Sequence, residues 1–169
     1  MEKIYFGYYE SPIGLIEVSG TSEAVRSVDF VERQRETFSS NALVENAVGE
    51  IREYFEGNRR KFDAPLDPQG TPFQKAVWRR LLEVPYGQTA SYGDIARAVG
   101  NPKAVRAVGG ANGRNPIAII VPCHRIIGSD GSMTGYGSGI WRKEWLLEHE
   151  GGARRGVRRR AQGMRHRGL

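Results

Sequence analysis

Cysteine is almost missing from this chain: Cys123 is the only one in 169 residues. A single thiol closes no internal disulfide and rules out a zinc site built on clustered cysteines, so no metal is expected. It also suits a reducing compartment. No run of about 20 apolar residues exists, so no membrane span is expected. The opening MEKIYFGYYE lacks the apolar core of a secretory signal, which points to the cytoplasm. Acidic residues are absent from residues 151–169, GGARRGVRRRAQGMRHRGL, which hold seven arginines. Removing those seven charges from the formal net charge of +6 leaves −1 for residues 1–150. The basicity therefore sits at one end, in a segment with too few large apolar residues to bury itself, and disorder is expected over 152–169. Such a segment is either a solubilising extension or an arm for polyanions.

What is present is ordinary for a globular chain: 39% hydrophobic and 26% charged residues, enough for one large domain or two small ones. Residues 3–31 read as an antiparallel meander. Ile4, Phe6 and Tyr8 alternate with polar or small neighbours, Ser11-Pro12-Ile13-Gly14 signals a turn, and two short β-prone runs follow at Leu15–Val18 and Val25–Val31. Between Asn41 and Glu56 the period lengthens, placing Val44, Ala47, Val48, Ile51, Tyr54 and Phe55 on one helical face closed by Gly57. Residues 57–70, with two prolines and two glycines, read as a linker, so one domain is expected over 1–65 and a second over 71–151.

The second domain opens on Thr71-Pro72-Phe73-Gln74, a capping residue, a first-turn proline and a glutamine at the third helical position. The helix is expected to run to about Glu83 and to bury Phe73, Ala76, Val77, Leu81 and Leu82. Ser91 then caps a short helix from Tyr92 to Val99. Gly100 stops it, and Asn101-Pro102 starts another through about Asn112. Two short helices joined this way fit a helix-turn-helix, a pattern shared by many helical corners. After the apolar run Ile117–Val121 come Pro122, Cys123, His124 and Arg125, then the glycine-rich stretch 128–139. A last helix spans Trp141–Glu150, with Trp145, Leu146 and His149 on its inner side and Gly151 as cap. Trp78, Trp141 and Trp145 are expected in the core.

A free cysteine is most often a small buried hydrophobe. As a nucleophile it needs a base or positive charge nearby, since an unperturbed thiol is only a few per cent thiolate at neutral pH. His124 is adjacent, but neighbours in extended chain point to opposite faces, so the backbone must turn or a water must bridge. An acid must orient the imidazole; Glu150, Glu144 and Asp130 are all candidates.

Asn115-Pro116, Ile119–Arg125, Gly135-Tyr136 and Lys143–Gly151 together resemble the O6-alkylguanine-DNA alkyltransferases, as does the upstream stretch Tyr92…Gly100–Ala111. The resemblance is dense over 71–151 and loose before it. It implies an α+β fold: an N-terminal antiparallel sheet with a helix, ribonuclease H-like, and a mostly helical C-terminal domain holding the helix-turn-helix and the active cysteine. It implies direct, one-event repair of O6-alkylguanine, with O4-alkylthymine a candidate second substrate that the sequence does not decide, and no cofactor. In this resemblance Cys123 accepts the alkyl group, His124 is the base through a water, Glu150 holds His124, Asn115 braces the turn, and Tyr92 helps rotate the nucleotide and protonates the leaving guanine. Arg106 fills the gap left by the flipped base. Ala107, Gly109 and Gly110 let the helix approach the minor groove of double-stranded DNA, and Ser91 joins the DNA-contacting set. Pro122, Ile126, Tyr136, Gly137 and Ser138 line the guanine pocket, although Gly137 and Ser138 depart from the family's usual order there. The protein is expected to act as a monomer, beside the nucleoid in a prokaryote.

Competing readings keep their own expectations. A non-catalytic lesion sensor on the same scaffold would replace the cysteine, commonly by Trp. A helix-turn-helix regulator would be a sequence-specific dimer. A Cys–His hydrolase would turn over and need an oxyanion hole. The small residues of the second helix fit close helix packing as well as DNA. Arg125 reads as a structural clamp across the domain boundary.

Overall fold

The structure, a computed structural model, describes residues 2–151; the expectations for the arginine-rich segment fall outside the described residues. The chain divides into two compact units. One is Met1–Gln69 with Pro116–Ile120, the other Gly70–Asn115 with Val121–Leu169.

The first unit is a three-stranded antiparallel sheet, β1 (Tyr5–Ser11), β2 (Gly14–Gly20) and β3 (Val25–Val31), in sequential order. Ser11 pairs with Gly14 across Pro12-Ile13. Gly14 adopts φ 122°, a conformation side chains resist. One face is covered by α1 (Ala42–Phe55), whose six expected apolar positions are all buried. Its first turn is capped by Asn41, which accepts a hydrogen bond from Val44 N at 2.8 Å. A Cβ on Gly7 would lie 2.9 Å from Val48 Cγ2, so glycine there lets helix and strand approach.

The segment Pro116–Ile120 joins this unit by bonding to β3: Val28 N donates to Pro116 O at 3.0 Å and Ala118 N to Val28 O at 3.1 Å. Within it, Ile119 is the only described non-glycine residue with positive φ, at 72°. Ile120 N donates to Ala118 O at 2.8 Å, which closes a γ-turn of the rare positive-φ kind around a β-branched residue.

The second unit contains α2 (Pro72–Leu81), α3 (Tyr92–Ala98), α4 (Val105–Gly113) and α5 (Ile140–His149), plus a two-residue parallel pair, β4 (Ala90–Ser91) and β5 (Ile126–Ile127). α2 has the expected reciprocal capping box between Thr71 and Gln74. Val77, Leu81 and Trp78 are buried as expected, whereas Phe73 and Ala76 are only half-buried and Leu82 is exposed. Leu82 keeps helical dihedrals as the C-cap, φ −61° and ψ −18°, and lies on the solvent side of the helix end. Trp78 satisfies its indole N–H on Ala111 O at 2.8 Å. α3 is capped by Ser91 and stopped by Gly100 at φ 85°. α4 begins at Val105 rather than at Asn101-Pro102. Ala104 N donates to Asn101 O, so Pro102 sits inside a turn that precedes the helix. On α5 the inner residues are Lys143, Leu146 and Leu147. Trp145 and His149 are half-buried and stack at 5.0 Å, and Trp141 is 55% exposed rather than in the core.

Candidate active site

Pro122 has φ −82° and ψ 63°, and Cys123 N donates to Val121 O at 2.8 Å, an inverse γ-turn. A single 3₁₀ turn, Cys123–Arg125, follows at once. The chain therefore turns where it must if His124 is to serve Cys123. All three residues are buried.

His124 Nε2 lies 2.8 Å from Glu150 Oε2, and neither side chain is exposed to solvent. Of the three candidate acids, Glu150 is the one on the imidazole. Arg125 grips the same carboxylate, Nε donating to Oε1 at 2.9 Å and Nη2 to Oε2 at 3.0 Å. Its Nη1 donates to Val84 O at 2.8 Å. The clamp expected of Arg125 exists, but these partners all lie in its own unit. Gly87 N also donates to Oε1 of Glu150, at 3.3 Å. Nδ1 of His124 has no hydrogen-bond partner among the described residues.

The titration pattern follows from this geometry. Burial pushes the Cys123 thiol up, with the Asn115 side chain and the Lys143 ammonium opposing. Burial also pushes His124 down, against the pull of Glu150 and with help from Arg125 and Lys143. Burial would raise Glu150, but His124 and Arg125 outweigh it and hold the carboxyl well below its usual range. Burial thus works against charge on both the thiol and the imidazole.

Asn115 Nδ2 donates to Val121 O at 2.8 Å, bracing the turn that delivers Cys123. A second amide escapes a reading of the sequence: Asn112 is buried and directs Nδ2 to Cys123 O at 3.4 Å. Lys143 escapes it too, beyond its place in a motif. It is fully buried, with Nζ donating to Ile126 O and, at 2.8 Å, to Thr134 O. Burial lowers its pKa to about 8. A lysine three residues into an amphipathic helix gives no signal of this role; only the fold turns it inward.

Of the expected pocket residues, Pro122, Ile126 and Tyr136 are buried, Ser138 is half-buried and Gly137 is exposed. The Tyr136 hydroxyl has no partner among the described residues, and burial raises its pKa well above the ordinary value. Tyr92 donates its hydroxyl to Thr134 O at 3.2 Å. Ser91 is buried with its hydroxyl accepting from Asp94 N at 3.0 Å, so the structure shows it capping α3.

On α4, Val108, Ala111 and Asn112 face inward while Arg106, Ala107 and Gly110 are exposed. Close packing accounts for the buried Ala111 but not for the two glycines: a Cβ on Gly110 would meet nothing within 4 Å, and one on Gly109 only the Tyr92 ring at 3.9 Å.

Two family profiles match the chain: "6-O-methylguanine DNA methyltransferase, ribonuclease-like domain" over residues 4–68 and "6-O-methylguanine DNA methyltransferase, DNA binding domain" over 72–152. The methylated-DNA–protein-cysteine methyltransferase of Methanosarcina acetivorans is 49% identical over 88% of this chain and 99% of its own. This chain belongs to the 6-O-methylguanine DNA methyltransferase family. Another relative of the same name, from Mycobacterium bovis, is 46% identical over 87% of this chain and 92% of its own. Among solved members of the family, the Mycobacterium tuberculosis O6-methylguanine methyltransferase aligns with a TM-score of 0.79 at 45% identity, covering 87% of this chain and 92% of that one. The M. tuberculosis protein solved in complex with DNA aligns with a TM-score of 0.79 at 47% identity, covering 86% and 92%. The α+β architecture expected from the sequence is the fold of this family.

Proposed function

We propose that the protein repairs alkylated DNA by one irreversible transfer, moving the alkyl group from O6 of guanine to Sγ of Cys123. The observation that carries this reading is the buried His124–Glu150 pair, 2.8 Å apart, in the turn that holds the chain's one cysteine. The thiol proton passes through a water to Nδ1 of His124, the ring nitrogen left open by the Glu150 bond. The thiolate then forms a bond to the alkyl carbon as the C–O6 bond breaks. Guanine leaves with the electron pair and takes a proton from the Tyr92 hydroxyl. The thioether offers no leaving group, and the chain has no second thiol to regenerate the first, so each molecule acts once.

Geometry supports a DNA partner approached through α4. Arg106 is exposed at the start of that helix, where a long cation can enter the vacated stack and stay near phosphates. The open space over Gly110 lets backbone come close to a groove floor, and minor-groove binding carries little sequence readout, which suits a scanning repair protein. The flipped guanine would sit among Pro122, Ile126, Tyr136, Gly137 and Ser138; flipping costs a few kcal/mol, least for a damaged pair. The protein acts as a monomer, and the cytoplasm is its proposed place.

Intact-protein mass spectrometry after incubation with a duplex containing O6-methylguanine tests this. One added methyl per molecule, on Cys123 and absent from Cys123→Ala, is expected. No mass change with tight lesion binding retained would replace the reading with a lesion sensor.

A further inference from the structure

The Glu150 carboxylate is shared by two cationic candidates, and the sharing is unequal. Arg125 forks onto both oxygens, at 2.9 and 3.0 Å, while His124 holds only Oε2. We propose that Arg125 is a positioning residue that keeps His124 neutral, by compensating the Glu150 charge that would otherwise hold the imidazole protonated. This rests on the alkyl-transfer reading above.

A buried carboxylate within about 4 Å of an imidazole stabilises the charged imidazolium. A protonated His124 cannot take the Cys123 proton. With the guanidinium in place, the Arg125–Glu150 pair is already neutral overall, and a proton on His124 would leave an uncompensated positive charge in a closed site. The groups around the imidazole are few. Lys143 comes from α5 and Glu150 is the residue that caps it, Cys123 and Arg125 come from the imidazole's own turn, and Tyr136 of the 128–139 stretch interacts electrostatically with Cys123 and Glu150. Val84, after α2, presents an uncharged carbonyl to Arg125. Lys143 adds to the case against a second positive charge.

The same arrangement fixes the tautomer. Nε2 faces a carboxylate oxygen at 2.8 Å, so in the neutral ring the proton sits on Nε2 and the lone pair on Nδ1, the nitrogen without a protein partner. Glu150 therefore selects the atom that acts as base, and Arg125 the charge state of the ring. The fork also explains why arginine rather than lysine stands here: a point charge meets one oxygen, a guanidinium both.

Two measurements on the full chain test this. The first follows His124 by NMR between pH 5 and 9 in the free protein, which needs no alkyl transfer and so stands apart from the proposed function. Wild type is expected to stay neutral with the proton on Nε2 across this range. Arg125→Met is expected to protonate His124 at pH 7, and Arg125→Lys to fall between the two. The second follows methyl transfer against pH. Arg125→Met is expected to be about tenfold slower at pH 7 for each unit by which the imidazole pKa exceeds the pH, and to recover as the pH rises; a merely structural defect would depress the rate equally at all pH values. An imidazolium at pH 7 in wild type overturns the proposal even if Arg125→Met does not fold. An unchanged His124 titration in a folded Arg125→Met also overturns it. Wild type that transfers no methyl while its histidine behaves as described would instead sink the functional reading.

Discussion

The two units differ in the charges they bury. In the first, ion pairs lie at the surface: Arg26 with Glu2 and Asp67, and Arg59 with Glu50, Glu53 and Asp63. The nearest to an exception is Glu17, whose buried carboxylate is held by Tyr8 at 2.6 Å and by Arg35, itself half in solvent. In the second, His124, Arg125, Lys143 and Glu150 are all buried, and the three basic side chains are each tied to the Glu150 carboxylate or to a backbone carbonyl. Surface pairs contribute little because water screens them. Buried charges are costly to assemble and costlier to break, since removing one partner strands the other. A scaffold keeps its charges outside; the unit that carries chemistry accepts burial to obtain a dry, fixed arrangement.

The sharpest attempt to break that contrast is Glu150→Gln. Loss of the carboxylate strands Arg125 and is expected to cost about 3–5 kcal/mol, read by denaturant unfolding, and to remove methyl uptake in any fraction that folds. The wild-type acid limb should report the same residue. Glu150 has its pKa depressed in the folded state, so its contribution is fully present above the ordinary carboxyl pKa of about 4.3 and is lost as the pH falls below it. An acid unfolding curve that coincides with that of a folded Glu150→Gln would remove this assignment.

Lys143→Met comes next, at about 2–4 kcal/mol, because the buried Ile126 carbonyl and the Thr134 carbonyl lose a charged donor. That loss should grow at alkaline pH. Burial lowers the lysine to about 8, so the folded state resists its charge, and the lysine's own contribution rises between about pH 8 and the ordinary 10.4. Comparing the two proteins at pH 7 and pH 10 isolates this from the opposing titration of Cys123. Arg35→Ala is expected to cost about 1 kcal/mol, since Glu17 keeps Tyr8. Arg59→Ala should leave the thermal midpoint where it was, despite its three carboxylate neighbours. A loss there as large as that of Lys143→Met would collapse the distinction between the units.

The regular elements are legible in the sequence because each is written locally. Asn41 and Thr71 mark helix starts through side-chain caps, Gly57 and Gly100 mark ends through positive φ, and the six apolar positions of α1 follow the helical period. Cys123, His124 and Glu150 can be named because their motifs survive in order. What is not legible depends on backbone dihedrals or on distant partners. Nothing in Ile119 announces φ 72°, since isoleucine resists it. Nothing in Lys143 or Arg125 tells a buried cation from a solvated one. Hydrophobicity alone places Leu82 and Trp141 inside, and both lie outside.

The excursion of Pro116–Ile120 has a consequence for how the chain can be divided. The compact units exchange that five-residue segment, so the polypeptide passes from one to the other three times, not once. A cut between Gln69 and Gly70 severs only the first passage. The order of residues along the gene and the order of packing partners are therefore different lists: Pro116–Ile120 pack with the first unit, and Val121 onward with the second.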